Sequence, residues 1–271
     1  MASKLIISCA VLGAELTKNS YPSLPVTPEE LSQSAIEAVN AGASIIHLHV
    51  RDKAQKPSQD KEIFKEVTKL IKNRCDCIIQ YSTGGAVGTP VKDRCGPLSL
   101  KPEMATLSMG SLNFGNEIFE NTEDIIQAIN KEIIVNGVMP ELEIFDYGMM
   151  DTVDRYLKKN ILPEKFHVDF VLGVLGGMNG EIKSLTMLTD RLRVGQEWSV
   201  AGISKYQLPL TAHAIAMGGH IRVGLEDNIY YRKGELCKNN AQFVERVVRI
   251  AKELDRPVAS VKEAREILKL T

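Results

Sequence analysis

The 271-residue chain has no excess of charge of either sign, no disulfide pattern and no long apolar run, and each absence removes a class of protein. Lys and Arg number 33 against 34 Asp and Glu, so no basic field exists to collect nucleic-acid phosphates. The five cysteines, Cys9, Cys75, Cys77, Cys95 and Cys237, are odd in number and fit neither a disulfide framework nor a paired zinc knuckle. A reducing, cytoplasmic compartment is expected. No window approaches the ~18 apolar residues of a membrane span. The N-terminal MASKLIISCAVLGAEL runs into Glu15 and a polar loop rather than a small-residue cleavage site. Proline and glycine are not in excess, which excludes collagen and low-complexity disorder.

What is present is an alternation of short apolar, β-branched runs with amphipathic stretches, the pattern of a parallel βα fold. Eight runs read as strands: 5–12, 44–51, 77–83, 104–110, 141–145, 167–173, 198–203 and 220–225. Between the first two, Thr27-Pro28-Glu29-Glu30 supplies an N-cap, a first-turn proline and a capping-box glutamate, and Gly42 supplies the C-terminal stop. Helical spacing follows at Ile63, Val67, Leu70 and Ile71; Ile126, Ile129 and Ile133; Val153, Tyr156 and Leu157; Leu185, Leu188 and Leu192; and Phe243, Val247, Ile250 and Leu254. Ser260 and Glu263 form another capping box before a short terminal helix. Eight alternations in this length are the count of a (β/α)8 TIM barrel, expected as one domain over residues 1–271 with a short C-terminal helical extension. A doubly wound open sheet gives a similar alternation, and periodicity alone does not separate the two.

Side chains two apart share a strand face, and this parity is the most informative test. In SIIHLHVR, Ile46, Leu48 and Val50 share one face, and His47, His49 and Arg51 the other. In HIRVGLED, Ile221, Val223 and Leu225 oppose His220, Arg222, Gly224 and Glu226. Gln80 pairs with Ser82, Thr106 with Ser108, and Glu141 with Glu143. A central parallel strand has no exposed face, so five polar inner faces imply a shared interior site at the C-terminal mouth.

His-x-His on a strand presents two imidazoles to one metal, and Glu226 is the chosen third ligand. Zinc is preferred, since His2Glu zinc sites are well precedented; ferrous iron or manganese suits the same donor set. The competing reading makes both histidines satisfied core groups. Two glycine-rich loops follow strands. STGGAVG (82–88) offers amides to an anion or makes a plain turn, and lacks the Lys-Ser/Thr ending of a P-loop. GVLGGMNG (173–180) reads as a lid, a close approach to substrate, or a turn.

The blocks HLHVRD (47–52), QYSTGGAVG (80–88), LKPEMATLSMGSLNFG (100–115), PELEIFDYGM (140–149), LGVLGGMNG (172–180) and GGHIRVGLEDN (218–228) together resemble the β-keto acid cleavage enzymes. The resemblance covers nearly the whole chain. It implies a homotetrameric TIM barrel with a catalytic zinc. It also implies cleavage of a β-keto acid with acetyl-CoA as co-substrate, giving acetoacetate and a new acyl-CoA. The course implied is enolate attack on acetyl-CoA, acyl transfer and retro-Claisen cleavage. Carried over by position, the zinc ligands are His47, His49 and Glu226, the substrate contacts Glu15, Ser82, Gly85 and Thr106, and the acid–base groups Asp227 and Arg222, with Glu143 as a supporting carboxylate. Glu15 is placed to pair with an ammonium group on the acyl chain, and Ser82, Thr106 and the Gly84 and Gly85 amides to receive the carboxylate. A metal-dependent aldolase or hydrolase would use the same residue types, and acetyl-CoA dependence separates it. An inactive binding protein would need Arg222 and Asp227 disabled, and both are present.

Overall fold

A computed structural model describes residues 4–270. Eight parallel strands close into a barrel in chain order: β1 (Ile7–Ala10), β2 (Ile45–Leu48), β3 (Ile78–Tyr81), β4 (Met104–Ser108), β5 (Met139–Ile144), β6 (His167–Leu172), β7 (Trp198–Gly202) and β8 (His220–Val223). Closure comes from β8 pairing with β1, with Ile7 opposite Ile221 and Ser8 opposite Arg222. The open-sheet alternative is thereby removed.

The outer helices are α1 (Pro28–Ala41), α2 (Lys61–Lys72), α3 (Val91–Cys95), α4 (Glu123–Val135), α5 (Tyr147–Lys158), α6 (Ile182–Thr189), α7 (Gln207–Met217) and α8 (Asn240–Glu253). Their starts are chemically marked. Thr27 and Glu30 make the capping box of α1, Asp60 caps α2, and Thr122 caps α4, each satisfying amides that a helix leaves without partners. The expectation for α6 ran one turn too far, because the helix stops at Thr189 and Leu192 lies beyond it.

α9 (Val261–Leu268), begun by the Ser260–Glu263 capping box, is the terminal extension, and it closes the bottom of the barrel. Ala264 and Leu268 pack with Ile6, Ile45, Ile78 and Met104 from the strand starts, in an apolar cluster separate from the main core. Leu5 exchanges backbone hydrogen bonds with Pro257 and Ala259, which ties the two ends of the chain together there. These apolar side chains fill the lower end of the barrel.

Strand boundaries depart from the sequence expectation where the backbone turns. β5 begins at Met139 and includes Pro140, a residue that reads as a strand breaker. β2 stops at Leu48, and Val50–Arg51 instead pairs antiparallel with Pro57–Ser58. β8 stops at Val223, so Glu226 is not on the strand at all. Gly224, with φ of +153° and no room for a Cβ, turns the chain; an added Cβ would lie 2.1 Å from the Ala10 carbonyl oxygen. Glu226 reaches the inner face by this turn and not by strand alternation.

Candidate metal centre and active site

β2, the residue just past its end and the turn after β8 bring His47, His49 and Glu226 together, with one donor atom from each within 4.8 Å of the others. His47 Nε2 stands 3.5 Å from Glu226 Oε2, and His49 Nε2 3.6 Å from Glu226 Oε1. The Nδ1 of His47 donates to Gln80 Oε1 at 2.7 Å, since an amide oxygen only accepts, and this leaves Nε2 unprotonated toward the cluster. Both His47 Nε2 and Glu226 Oε2 are buried without a hydrogen-bond partner among the described residues. Buried polar atoms are rarely left unmatched, and a divalent cation would satisfy them. The charges agree: burial pushes His47 down to about 4, keeping it a neutral ligand. Burial works to raise Glu226, but Arg222 and the two imidazoles outweigh it and hold the carboxylate well below its usual range.

Beside this cluster Arg222 grips Asp227 through Nε to Oδ2 at 3.1 Å and Nη2 to Oδ1 at 2.9 Å, and donates to Glu226 Oε1 at 2.5 Å. Its Nη1 reaches Glu143 Oε1 at 3.4 Å. Burial alone would lower the guanidinium; Asp227, Glu226, Asp169 and Glu143 reverse that and hold it firmly charged. Burial raises Asp227 to about 6 although Arg222 opposes the shift. Glu143 is raised to about 7 by burial, against Arg222 and the Ser108 hydroxyl that donates to it at 2.8 Å. Two carboxylates poised near neutrality around one fixed cation suit proton transfer at physiological pH.

These groups floor a cavity of about 530 Å³ at the C-terminal mouth of the barrel. Glu15, Ser82, Gly85, His49, Glu143, Arg222, Glu226 and Asp227 all line it. Thr106 stands apart. Its hydroxyl accepts from the Thr83 amide at 3.1 Å and its carbonyl accepts from the Thr83 hydroxyl at 2.7 Å, so it braces the β3 loop and does not line the cavity. The Gly84 amide likewise donates to Ser82 Oγ at 3.1 Å. Of the residues named for the substrate, Glu15, Ser82 and Gly85 line the cavity and Thr106 does not.

The second glycine-rich loop is packed and not free to swing: Met178 donates to the Phe145 carbonyl at 2.8 Å, and a Cβ on Gly176 would lie 2.0 Å from Asn113 O. Its Val174 and Leu175 join Phe114 and Phe119, from a hairpin over 112–119, in an apolar cavity wall. Sequence reasoning did not find that hairpin's role. It also missed a polar layer beneath the site, where His167 Nδ1 lies 2.8 Å from Glu141 Oε2, and Ser199 donates to Asp169 at 2.5 Å. The same period-two parity, applied to β6 and β7, would have pointed to His167, Asp169 and Ser199.

A sequence model of the β-keto acid cleavage enzyme family matches residues 4–270. The chain belongs to that family. A 3-keto-5-aminohexanoate cleavage enzyme of Fusobacterium nucleatum is 50% identical over 272 residues, covering 100% of this chain and 99% of its own. One from Acetoanaerobium sticklandii is 48% identical and covers 98% of both chains. Among solved structures, apo ObcA superposes with a TM-score of 0.81 at 19% identity, over 92% of this chain and 66% of that longer one. That likeness concerns the fold. As a β-keto acid cleavage enzyme the chain is an acyl-transferring, C–C bond-cleaving catalyst, and among its described residues no helix is long and apolar enough to cross a membrane.

Proposed function

We propose that this β-keto acid cleavage enzyme converts 3-keto-5-aminohexanoate and acetyl-CoA to 3-aminobutyryl-CoA and acetoacetate, a step of lysine breakdown in the cytoplasm. The whole chain acts as one catalytic domain, assembled as a homotetramer. The reaction runs by enolate attack on acetyl-CoA, acyl transfer and retro-Claisen cleavage. The observation that carries the reading is the His47–His49–Glu226 cluster, with two buried donor atoms unmatched, directly beside an Arg222-held Asp227. The two relatives near 50% identity, each named for this substrate, support its choice.

His47, His49 and Glu226 would hold the zinc. When bound, it would supply Lewis-acid polarisation to the β-keto acid, making the methylene between its keto and carboxylate groups more acidic. Asp227 takes that proton. Raised to about 6, it is mostly ionised at neutral pH yet basic enough to work, and the two-point grip of Arg222 fixes its carboxylate plane. Glu143, sharing Arg222 from the other side, steadies the guanidinium. Ser82 donates to the substrate carboxylate, the Gly85 backbone borders it, and Glu15 on the rim pairs with the ammonium group. The apolar wall leaves room for a thioester arm next to the six-carbon acid.

A coupled assay on metal-quantified protein tests this. Acetoacetate formed from 3-keto-5-aminohexanoate only with acetyl-CoA, and lost on chelation, is expected. Product without acetyl-CoA would favour a metal-dependent aldolase or hydrolase instead.

A further inference from the structure

We propose that Arg51, which touches neither the metal ligands nor the reacting atoms, is a positioning residue that sets substrate preference by holding the β1 loop, and with it Glu15, against the cavity. The inference rests on the reading of Glu15 given above.

Arg51 lies two residues beyond His49, in the short Val50–Arg51 strand that pairs with Pro57–Ser58 past the end of β2. It is only 4% exposed. Its guanidinium donates to three backbone carbonyls: Gly13 at 2.5 Å, Leu16 at 2.9 Å and Gln55 at 3.3 Å. Gly13 and Leu16 flank Glu15, so both ends of the segment that presents the carboxylate are tied to one rigid fork. The third contact anchors the fork itself, because Gln55 belongs to a turn fixed by Asp52, whose Oδ1 accepts from the Ala54 and Lys56 amides.

The loop is also pressed from its other side. A Cβ on Gly13 would lie 2.6 Å from Glu226 Cγ, so the backbone at 13 is wedged between Arg51 and the side chain of a metal ligand. A buried cation matched by carbonyls costs more than an apolar residue filling the same space. It is well suited to one task, keeping an exposed loop glutamate in a fixed place. Without the fork, Glu15 would sample orientations in solvent and lose its advantage for an ammonium group. A merely structural role would weaken every substrate alike; a positioning role changes the ratio between substrates.

The test compares kcat/KM for 3-keto-5-aminohexanoate and for 3-ketohexanoate, which lacks the amine, in the wild type, Glu15→Gln, Arg51→Met and Arg51→Lys. Amide hydrogen exchange over residues 13–17 is read in parallel. The wild type is expected to prefer the amine by about tenfold or more, the worth of a charge-assisted contact. Glu15→Gln and Arg51→Met both erase the preference, and Arg51→Met speeds exchange in the loop. Arg51→Lys, which keeps the charge without the fork, retains at most part of it and serves if the methionine variant does not fold. An amine preference that survives at position 51, or unchanged exchange, overturns the role of Arg51 alone. A wild type with no amine preference overturns the Glu15 reading and this inference together.

Discussion

Replacing Gly224 by alanine would test how the metal centre is built without touching a ligand. The glycine holds φ at +153° at the end of β8, and an added Cβ would stand 2.1 Å from the Ala10 carbonyl oxygen. Cβ contacts below 3.0 Å essentially do not occur, so β8 and β1 must part by 3.0 − 2.1, or 0.9 Å, at this point. The same turn carries Glu226 two residues on and Asp227 three residues on, and the Glu226 amide donates to that Ala10 oxygen at 3.2 Å. A displacement of this size in a catalytic group can cost about 100-fold in rate. Gly224→Ala is therefore expected to lose about 100-fold in kcat/KM, and bound metal with it. Gly137→Ala is the control: it has φ of +68°, open space around its Cβ, and lies at the opposite end of the barrel between α4 and β5. It should cost about 1–2 kcal/mol of stability through its backbone alone and leave the metal in place. The assays are kinetics with metal quantification by atomic emission, and urea unfolding. Wild-type kcat/KM and metal content in Gly224→Ala would refute the claim that this turn delivers Glu226 and Asp227.

Asp227→Asn keeps the shape but removes the proposed base, and should lower turnover by about 10²–10⁴-fold with metal content unchanged; a wild-type rate would take Asp227 out of the mechanism. Gln80→Leu frees the His47 tautomer, and titration against a competing chelator should show zinc affinity down by about 10- to 100-fold. Glu143, whose carboxyl moves from 4.5 to about 7 on folding, binds its proton more tightly in the native state. Stability is therefore expected to fall as pH rises between those values, by about 3 kcal/mol from this group. Glu143→Gln should flatten that slope in urea unfolding at about pH 5 and about pH 8, and an unchanged slope would assign the shift elsewhere.

Strand parity made much of the site legible because it is a local rule with a global consequence. His47 and His49 face inward for the same reason that Ile46 and Leu48 face the helices, and barrel closure makes the inner faces converge. Glu226 entered the ligand set through the same parity, yet it arrives by a turn, since strand pairing ends at Val223. Thr106 shows the converse. Its face was read correctly, but depth along the barrel axis depends on strand stagger, and that places its hydroxyl on Thr83 and not in the cavity. Helix α7 gave little signal, because QLPLTAHAIAM is apolar on most sides and carries Pro209 in its first turn, where proline is tolerated. Arg51 illustrates the remaining gap: its type and face were readable, but its acceptors are carbonyls of distant loops, and a carbonyl leaves no mark in sequence.

The fate of the acetyl group tests the central claim most directly. With acetyl-CoA labelled by ¹³C at both acetyl carbons, enolate attack and retro-Claisen cleavage put the label at C3 and C4 of acetoacetate, leave C1 and C2 unlabelled, and give an unlabelled aminobutyryl thioester. Carbon NMR of the product mixture reads this in one spectrum. Unlabelled acetate and free 3-aminobutyrate alongside labelled acetate would mean that the keto acid and the thioester are hydrolysed separately, and would contradict the acyl-transfer account.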